Sequence, residues 1–422
     1  MTKRLSRVFR FAEPIVHGSL IRQILFALVL GAALAFVWPT AAKDVGILGE
    51  IFVTALKGVA PVLVFVLVTS AIANSSMSTE MHIRPVIALY LASTFGAAMA
   101  SVAVSFMFPT TITLTGAAQS AAAPGEISQV LTQLLLNVVD NPVRAIANAN
   151  YIGILAWAVA VGMILRKSRE ETRIVLGDAS SAVSSIVQIV IRFAPIGIFG
   201  LVSHTLATEG FQVMLEYAQL LLVLLGAMAF VALVLNPFIV WVATHDNPYP
   251  LTFMVLRESG VSAFFTRSSA ANIPVNMDIC RRLKLPESTY AISIPVGSTI
   301  NMAGAAVTIT VITLSAAHSL GIQVDMFSAI FLSVIASVCA AGTSGVPGGS
   351  LMLIPLACGL FGIDQDTAMQ VVAVGFIISV LQDSTETGLN SSSDVLFTIA
   401  ACYRADRIRA EQEAAKNNCG NN

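Results

Sequence analysis

The sequence predicts an all-α integral membrane protein with about eight transmembrane helices and two re-entrant helical hairpins arranged as inverted repeats. Three observations predict this fold class. The 422 residues are 56% hydrophobic and only 11% charged, whereas soluble domains carry roughly 25% charged residues. Long apolar segments recur along the chain, and two of them are interrupted by polar, glycine-containing stretches. Such a chain cannot cover a water-facing surface, and its net charge of −1 gives no sign of a nucleic-acid partner.

Eight apolar segments are long enough to cross a bilayer as helices, which takes about 20 residues. They are Leu20–Trp38, Ile47–Ala73, Val86–Phe108, Leu134–Leu165, Ala179–Leu206, Val213–Val242, Ile292–Ala317 and Ala368–Ala401. The basic N-terminus could imitate a signal peptide, but Arg22 lies directly against the first apolar run and many spans follow it. We therefore interpret the first segment as a retained transmembrane helix.

Two further segments are long enough to enter the membrane but are broken in the middle. In hairpin 1, Leu251–Met277, the break is the stretch 267–274; in hairpin 2, Met326–Phe361, it is the stretch 341–350. Non-helical backbone is tolerated at membrane depth only where protein or a water-filled cavity covers it. We therefore predict that each segment enters and leaves the membrane on one side. The alternative is an ordinary span with a glycine kink.

The basic residues are distributed as this topology requires, because inner loops of membrane proteins are enriched in lysine and arginine. With the N-terminus inside, the inner side receives Arg84, Arg166, Lys167, Arg169, Arg173, Arg281, Arg282, Lys284, Arg404, Arg407 and Arg409. The outer side keeps little beyond Lys43 and Arg144. Both termini are thus predicted to be cytoplasmic, with 406–422 as a tail. Complete crossings by both hairpins would move Arg281–Lys284 outside, so the charge bias supports the hairpins.

The chain also repeats itself. Each hairpin is followed by a span that carries polar residues, in the units 251–317 and 326–401, and the two hairpins open from opposite sides. Paired interrupted segments in two inverted units mark a transport site near the middle of the membrane.

One stripe of polar residues lies in the apolar span Val371–Val395, and no basic residue within that span neutralises it. Its members are Asp383, Glu386, Thr387, Asn390 and Asp394. Their spacing places them on one face of a helix. Each charge costs about 3 kcal/mol in a bilayer even on lenient scales. The stripe is therefore predicted to bind something positively charged.

The residue types indicate which ligands would fit. The small hydroxyl-bearing tip Ser268-Ser269 leaves backbone N–H groups at half-helix ends free to bind a carboxylate, and Asp383 could accept an ammonium group. An amino acid zwitterion needs this combination. Carbonyls near Asn301, together with Asp394, supply the hard oxygen ligands that suit sodium rather than a transition metal.

Four motifs carry a resemblance to a known family. The segments 265–269, 301–304 and 342–348, and the pair Asn390 and Asp394, resemble the motifs of the dicarboxylate/amino acid:cation symporters, the glutamate-transporter family. Within it, the chain looks like the bacterial sodium/serine–threonine symporters. The resemblance implies a homotrimer in the bacterial inner membrane, surrounded by lipid, whose transport domain moves as an elevator against a scaffold.

The resemblance also implies a division of the chain into domains. Residues 1–245 would be mainly scaffold and trimerisation helices, with Val86–Phe108 contributing to the transport domain. Residues 246–405 would form the transport core, which comprises hairpin 1, a broken seventh helix, hairpin 2 and an eighth helix.

The same resemblance implies the ligands. The expected substrate-binding residues are Arg267, Ser268, Ser269, Val346, Ser350, Asp383, Glu386, Thr387 and Asn390. Asp383 and Thr387 would hold the ammonium, and Ser269 and Asn390 the carboxylate. One sodium site would comprise Asp394 with carbonyls of Gly297, Asn301 and Asn390. A second would comprise carbonyls of Thr299, Ala340, Ala341 and Thr343.

Glu386 departs from the family pattern. Members with acidic substrates have an arginine three residues after the ammonium-binding aspartate, to pair with the second carboxylate. A glutamate there would repel that carboxylate by several kcal/mol at ~4–6 Å and an effective dielectric near 20. A substrate hydroxyl could instead donate to Glu386 or contact Ser350, which favours serine or threonine. Alternatively, Glu386 pairs with Arg267 and never faces the substrate.

Ala303 is a second departure, because the family usually has an aspartate there that serves another sodium site. The residues matching that site are Tyr90, Ser93, Thr94 and Asn301, which could equally be interhelical hydrogen-bond partners. Without the aspartate the site loses its formal charge, so we expect fewer coupled sodium ions.

The sequence thus predicts sodium-driven import of serine or threonine by a protein that is not an enzyme. Alternative cargoes are alanine, acidic amino acids or dicarboxylates, driven by sodium or protons. An intramembrane hydrolase using Ser268 or Ser269 would lack a histidine or lysine base nearby in the sequence. A channel is disfavoured, because paired hairpins suit alternating access.

Overall fold

The computed structural model of the chain describes residues 20–74, 83–114, 136, 138–148, 150–341, 343 and 348–419, and every regular element in these ranges is helical. The first half contains α1 Leu20–Val37, α2 Pro39–Asp44, α3 Gly46–Asn74, α4 Ile83–Met107, α5 Pro142–Ala147, α6 Tyr151–Leu165, α7 Glu170–Arg192, α8 Ala194–Glu209, α9 Val213–Phe230, a π-helical turn Val231–Leu235 and α10 Asn236–Thr244. The second half contains α11 Tyr249–Val255, a π-helical turn Leu256–Gly260, α12 Val261–Thr266, α13 Ile273–Arg282, α14 Glu287–Ile300, α15 Ala303–Ser319, α16 Met326–Ala340, a 3₁₀ turn Leu351–Leu353, α17 Ile354–Gly359 and α18 Gln365–Cys419.

Six helical segments among the described residues are long and apolar enough to cross a membrane. They are Pro39–Asn74, Ile83–Met107, Glu170–Arg192, Val213–Thr244, Glu287–Ser319 and Gln365–Ala405. Shorter apolar helices occur at Arg22–Val37, Ala156–Leu165 and Met326–Ala340. These lengths and compositions support the prediction of a helical membrane protein.

Apart from the break at Asn301 in the helix that the resemblance implied to be broken, two predicted spans are not continuous helices. The span predicted at Ala179–Leu206 is instead α7 and α8, which meet at Phe193. The reason is Pro195, because a proline has no N–H to donate and is tolerated in the first turn of a new helix. The span predicted at Leu134–Leu165 is helical as a long element only from Tyr151. Asn150 caps that helix by accepting the N–H of Gly153 at 3.1 Å.

The two broken segments predicted from the sequence are interrupted helices in the structure. In hairpin 1 the chain leaves helical geometry after Thr266 and resumes it at Ile273. In hairpin 2 it leaves the helix after Ala340 and resumes it through the 3₁₀ turn and α17, while residues 342 and 344–347 lie outside the description. The arms that follow, α13 and α17, each have a proline in the first turn, where the missing N–H has no cost.

The helices that carry the polar residues are the most enclosed. Of an 18-residue apolar stretch in Glu287–Ser319, 94% is buried inside the protein, and of the corresponding stretch in Gln365–Ala405, 89% is buried. The corresponding value for Glu170–Arg192 is only 17%. Helices α15 and α18 therefore form the centre of the molecule, and the polar stripe of α18 is enclosed by protein.

The long helix α18 begins with a side-chain cap. Asp364 accepts the backbone N–H of Thr367 at 2.9 Å and its hydroxyl at 2.7 Å. Partial burial opposes ionisation of Asp364, but these hydrogen bonds outweigh it and lower the pKa of Asp364 below its ordinary value. The resulting negative charge also stabilises a helix N-terminus. The cap thereby helps to set the start of α18.

Candidate functional site

Three interruptions of helical structure meet on one face of α18. The tip of hairpin 1 contacts α18 through Arg267, the tip of hairpin 2 through Gly348, and the break between α14 and α15 through Asn301. Their partners on α18 are Asp383 and Asp394. The fold therefore assembles the predicted stripe and the predicted breaks into one buried site.

Asp383 joins the two hairpin tips. Its Oδ2 accepts Nε of Arg267 at 2.6 Å, and its Oδ1 accepts the backbone N–H of Gly348 at 3.1 Å. Both members of the ion pair are buried. The neutralising charge for Asp383 thus comes from hairpin 1, 116 residues away in the sequence. The alternative pairing of Arg267 with Glu386 is wrong for this structure, because Asp383 takes the guanidinium.

The backbone of Arg267 is held in an unusual conformation. Its φ of 51° and ψ of 34° place it in the left-handed region, where it ends α12. This conformation costs a residue with a side chain roughly 1–2 kcal/mol and persists where the surroundings determine it. The buried ion pair with Asp383 is such a surrounding.

Hairpin 1 is fastened to α18 by an amide network. Nδ2 of Asn272 donates to the hydroxyl of Ser391 at 2.9 Å, and Nδ2 of Asn276 donates to the same hydroxyl at 3.0 Å and to the Ser391 carbonyl at 3.2 Å. Ser259 donates to Oδ1 of Asn276 at 2.6 Å. These buried contacts hold the tip that carries Arg267, and sequence reasoning missed them because their partner lies on a distant helix.

Glu386 is surrounded by neutral donors. Its Oε2 accepts Nε2 of Gln382 at 2.5 Å and the hydroxyls of Thr308 and Ser350, each at 2.8 Å. Gln382 also donates to the Thr308 hydroxyl at 2.8 Å. Ser350 is one of the residues predicted from the sequence, whereas Gln382 and Thr308 are not. The position of Gln382, four residues before Glu386 on one helix face, was a signal for that contact.

Gly304 allows α15 to contact α18 closely. A Cβ at Gly304 would lie 2.9 Å from the backbone of Glu386, closer than real side chains approach. The backbone N–H of Gly304 donates to Oδ1 of Asn390 at 2.7 Å, and Nδ2 of Asn390 lies 3.3 Å from the sulfur of Met302. The Asn390 amide is therefore oriented by the helix break.

Asp394 and Asn301 form a second polar centre, deeper along the stripe. Nδ2 of Asn301 donates to Oδ1 of Asp394 at 2.8 Å and to the hydroxyl of Ser393 at 2.7 Å. Among the described residues, Oδ2 of Asp394 and Oδ1 of Asn301 are buried without a hydrogen-bond partner. Unpartnered buried oxygens are costly and need an explanation. A bound cation that prefers oxygen ligands supplies one.

Gly297 lies beside this centre. A Cβ built there would be 2.7 Å from Oδ1 of Asp394 and 2.8 Å from the hydroxyl of Tyr90. The absence of a side chain at Gly297 therefore allows α14 to pack closely against the Asp394 carboxylate.

The model of the sodium:dicarboxylate symporter family matches residues 20–402. The chain belongs to that family. Its members are sodium-coupled symporters of dicarboxylates or amino acids, so this symporter is an integral membrane transporter and not an enzyme. The hydrolase alternative for Ser268 and Ser269 is thereby excluded.

The remaining predicted substrate residues of the symporter occupy the following positions. Ser269 is buried at the tip of hairpin 1, and the hydroxyl of Ser268 accepts the N–H of Ala271 at 3.2 Å. The hydroxyl of Thr387 donates to the Asp383 carbonyl at 2.8 Å. Val346 lies outside the described residues. The substrate roles of these residues stay predictions.

The second predicted sodium site also stays a prediction. The Ala340 carbonyl accepts the N–H of Thr343 at 2.9 Å and its hydroxyl at 2.7 Å. Ala341 follows α16 as its C-terminal cap. Thr299 is exposed, and its hydroxyl donates to the carbonyl of Val296 at 2.8 Å.

The residues matched to the family's further sodium site divide into two groups. The Tyr90 hydroxyl donates to carbonyls of Ser293 and Asp394, and Ser93 donates to Oδ1 of Asn236 at 2.7 Å. Both residues thus act as interhelical hydrogen-bond partners. In contrast, the Thr94 hydroxyl is buried without a partner among the described residues.

The substitution Gly297→Ala tests the close packing of α14 against Asp394. We expect the sodium concentration needed for half-maximal transport to rise about tenfold or more. The added methyl group would collide with the Asp394 carboxylate and move it away from the predicted cation. The measurement is initial uptake into proteoliposomes as a function of sodium concentration. Gly226→Ala, where nothing lies within 4 Å of an added Cβ, is the matched control. An unchanged sodium dependence in Gly297→Ala would contradict the placement of the cation.

Proposed function

We propose that this symporter uses sodium to import serine and threonine. The observation that carries the proposal is the charge inventory of the site: Asp383 and Glu386 are both buried, and within the described part of the chain Arg267 is the one basic side chain paired with either of them. Such a site can accept an ammonium group. Among the described residues it has no further basic side chain that could bind a second carboxylate on the substrate.

The zwitterionic part of an amino acid fits between α18 and the hairpin tips. Its ammonium would bind Asp383, where charge-assisted hydrogen bonds are strong. Its carboxylate would bind near Ser269 and Asn390, where backbone N–H groups at the interrupted helix ends favour negative charge. This proposal is supported by the contacts that place the tip of hairpin 1 beside Asp383.

Glu386 would select the substrate side chain. Every hydrogen bond to its carboxylate from the described residues ends on Oε2, which leaves Oε1 for a donor. The hydroxyl of serine or threonine is such a donor. A second carboxylate about 5 Å away would instead be repelled by roughly 3 kcal/mol at an effective dielectric of 20. Glutamate and aspartate would therefore bind poorly.

Sodium would bind at Asp394 and Asn301. Each has one buried side-chain oxygen that lacks a hydrogen-bond partner among the described residues, which supports this role. Substrate and sodium are coupled if hairpin 2 closes only with both bound, since each ligand then raises the affinity for the other. The family's usual aspartate is absent at the buried position Ala303, so we propose fewer sodium ions per cycle than in the glutamate transporters.

The architecture proposed is a homotrimer in the bacterial inner membrane, with both termini cytoplasmic and an elevator-like transport domain. The packing of helices supports this division: α1, α3, α6, α7 and α8 pack mainly on one another, and α4 packs on α15 and α16. Ile83–Met107 would thus join the core formed by residues 246–405. Helices α9 and α10 also pack mainly on α18, so they would belong to this core as well, contrary to the division that the resemblance implied, and the remaining early helices would form the scaffold.

Proteoliposome uptake tests the proposed function. An inward sodium gradient is expected to raise initial uptake of labelled serine about tenfold or more over a sodium-free control, because sodium binding is required for closure. Excess unlabelled threonine should compete strongly, alanine less so, and glutamate hardly at all. Competition by glutamate equal to that by threonine would refute the proposed selectivity, and sodium-independent uptake would refute the coupling.

A further inference from the structure

The pocket beside Glu386 contains more hydrogen-bond acceptors than one hydroxyl group can satisfy. Oε2 of Glu386 accepts the hydroxyls of Thr308 and Ser350 and the Nε2 of Gln382, whereas Oε1 accepts no hydrogen bond from the described residues. Oε1 of Gln382 is buried and also lacks a partner within the described part of the chain. A buried acceptor without a donor is costly and needs an explanation.

The amide group of Gln382 is held in one orientation. Its Nε2 lies 2.5 Å from Oε2 of Glu386 and 2.8 Å from the hydroxyl oxygen of Thr308. Turning the amide over would place its oxygen against the carboxylate, so that two acceptors would face each other. The oxygen and nitrogen of an amide group are ~2.2 Å apart, so Oε1 of Gln382 lies within ~5 Å of Oε2 of Glu386. The unpartnered oxygen is therefore close to the same carboxylate.

The same pocket has an uncompensated negative charge. Arg267 is paired with Asp383 at 2.6 Å, and both side chains are almost fully buried. The groups that donate to Glu386 from the described residues are hydroxyls and an amide, which have no formal charge. The hydroxyl of serine would add one more neutral donor. A buried carboxylate without a positive partner is strongly unfavourable, and bound serine would leave Glu386 in that condition.

We infer that the symporter also transports small amino acids whose side chain ends in an ammonium group, and that Glu386 and Gln382 bind this group. This inference rests on the proposed function and extends it from hydroxy amino acids to short diamino acids. The simplest of these is 2,3-diaminopropionate, which is serine with an ammonium group in place of the hydroxyl.

An ammonium group suits both free acceptors. It has three N–H donors, so it can donate to Oε1 of Glu386 and to Oε1 of Gln382 at the same time, whereas a hydroxyl has one hydrogen. Its charge also neutralises Glu386 through charge-assisted hydrogen bonds. A side-chain amide fits less well, because its carbonyl oxygen needs a donor of its own. The hydroxyls of Thr308 and Ser350 already donate to Glu386.

Three ligands of nearly equal size test the inference. The side chains of serine, 2,3-diaminopropionate and 2-aminobutyrate end in a hydroxyl, an ammonium and a methyl group. The measurement is their competition with sodium-driven uptake of labelled serine into proteoliposomes of the full-length protein, in a weakly acidic buffer that protonates both amines of 2,3-diaminopropionate. We expect this compound to compete at least as strongly as serine, and at a concentration about tenfold or more below that of 2-aminobutyrate. Labelled 2,3-diaminopropionate should itself accumulate in response to the sodium gradient.

The substitution Glu386→Gln assigns the effect to this carboxylate. The ratio of the half-maximal inhibitory concentration of 2,3-diaminopropionate to that of serine should rise about tenfold or more, because the ammonium loses its anionic partner while the hydroxyl can still donate to the amide oxygen. A ratio within one variant is independent of the amount of active protein. The matched control is Glu287→Gln at an exposed position of α14, which should leave the ratio within about twofold of wild type. If Glu386→Gln does not fold, Gln382→Met removes the neutral acceptor, and the ratio should rise about threefold.

Three outcomes would overturn the inference. Competition by 2,3-diaminopropionate no stronger than that by 2-aminobutyrate would show that another group neutralises Glu386 in the loaded carrier. Competition without accumulation of the labelled compound would make it an inhibitor rather than a substrate. An unchanged ratio in Glu386→Gln would place the ammonium elsewhere. Failure of the proposed function is distinguishable, because the wild-type protein would then not accumulate serine in response to a sodium gradient.

Discussion

Replacing Asp394 by asparagine is expected to abolish sodium-driven accumulation of serine. Asp394 is buried, and its Oδ2 has no hydrogen-bond partner among the described residues, so its charge is available to the cation. Removing one member of a buried charge pair costs about 3–5 kcal/mol. Because 1.4 kcal/mol corresponds to a factor of about ten, sodium affinity should fall ~100-fold or more. Initial serine uptake at increasing sodium concentrations measures the effect.

The control for this prediction is Asp178→Asn, which makes the same chemical change at an exposed position on α7. It should leave sodium dependence within about twofold of wild type, as is usual for exposed charges. Accumulation of serine by Asp394→Asn at the wild-type rate and sodium affinity would show that this carboxylate does not bind the driving ion. Thermal unfolding of both purified variants establishes that a loss of uptake is not a loss of folding.

Replacing Glu386 by arginine is expected to change the cargo. The substitution reverses the charge at the position that we propose faces the substrate side chain. Serine uptake should fall about tenfold or more, and sodium-dependent uptake of aspartate should develop, because a guanidinium binds a second carboxylate in two parallel hydrogen bonds. Uptake of labelled serine and labelled aspartate by the same vesicles measures both changes.

Glu287→Arg, an exposed glutamate at the start of α14, is the matched control for this substitution. It is expected to transport serine normally and aspartate not at all. If Glu386→Arg transports serine as well as wild type and gains no aspartate uptake, the argument that Glu386 selects the cargo is wrong. A loss of serine uptake alone would leave the repulsion argument without support, since Thr308, Ser350 and Gln382 also lose their acceptor.

Local sequence patterns predicted the polar stripe and the breaks in the hairpins. The polar stripe follows from helical spacing alone, and the structure places Asp383, Glu386 and Asp394 together in the buried part of α18. The breaks in both hairpins follow from runs of glycine, serine and proline, whose backbone preferences act within a few residues. The incorrect helix boundaries have a local cause as well: the proline at Pro195 divides a run that is apolar throughout.

The pairing of charges could not be predicted in this way. Two carboxylates and one arginine were visible in the sequence, but the choice between Asp383 and Glu386 as partner of Arg267 depends on where the tip of hairpin 1 lies against α18. That position is set by Asn272 and Asn276, which bind Ser391 across 115 or more residues of chain. Contacts between residues so far apart in the chain leave no periodic signal in a single sequence.

The sequence by itself determined that this protein is a helical membrane transporter with acidic residues on one face of a central helix, because composition and spacing act along the chain. Only the tertiary structure decided that Asp383 is neutralised by Arg267, that Glu386 is held by Gln382, Thr308 and Ser350, and that one oxygen of Asp394 has no hydrogen-bond partner within the described part of the chain. The physical reason is that an ion pair or hydrogen bond forms over about 3 Å, and segments far apart in the chain reach that distance only when the whole protein has folded.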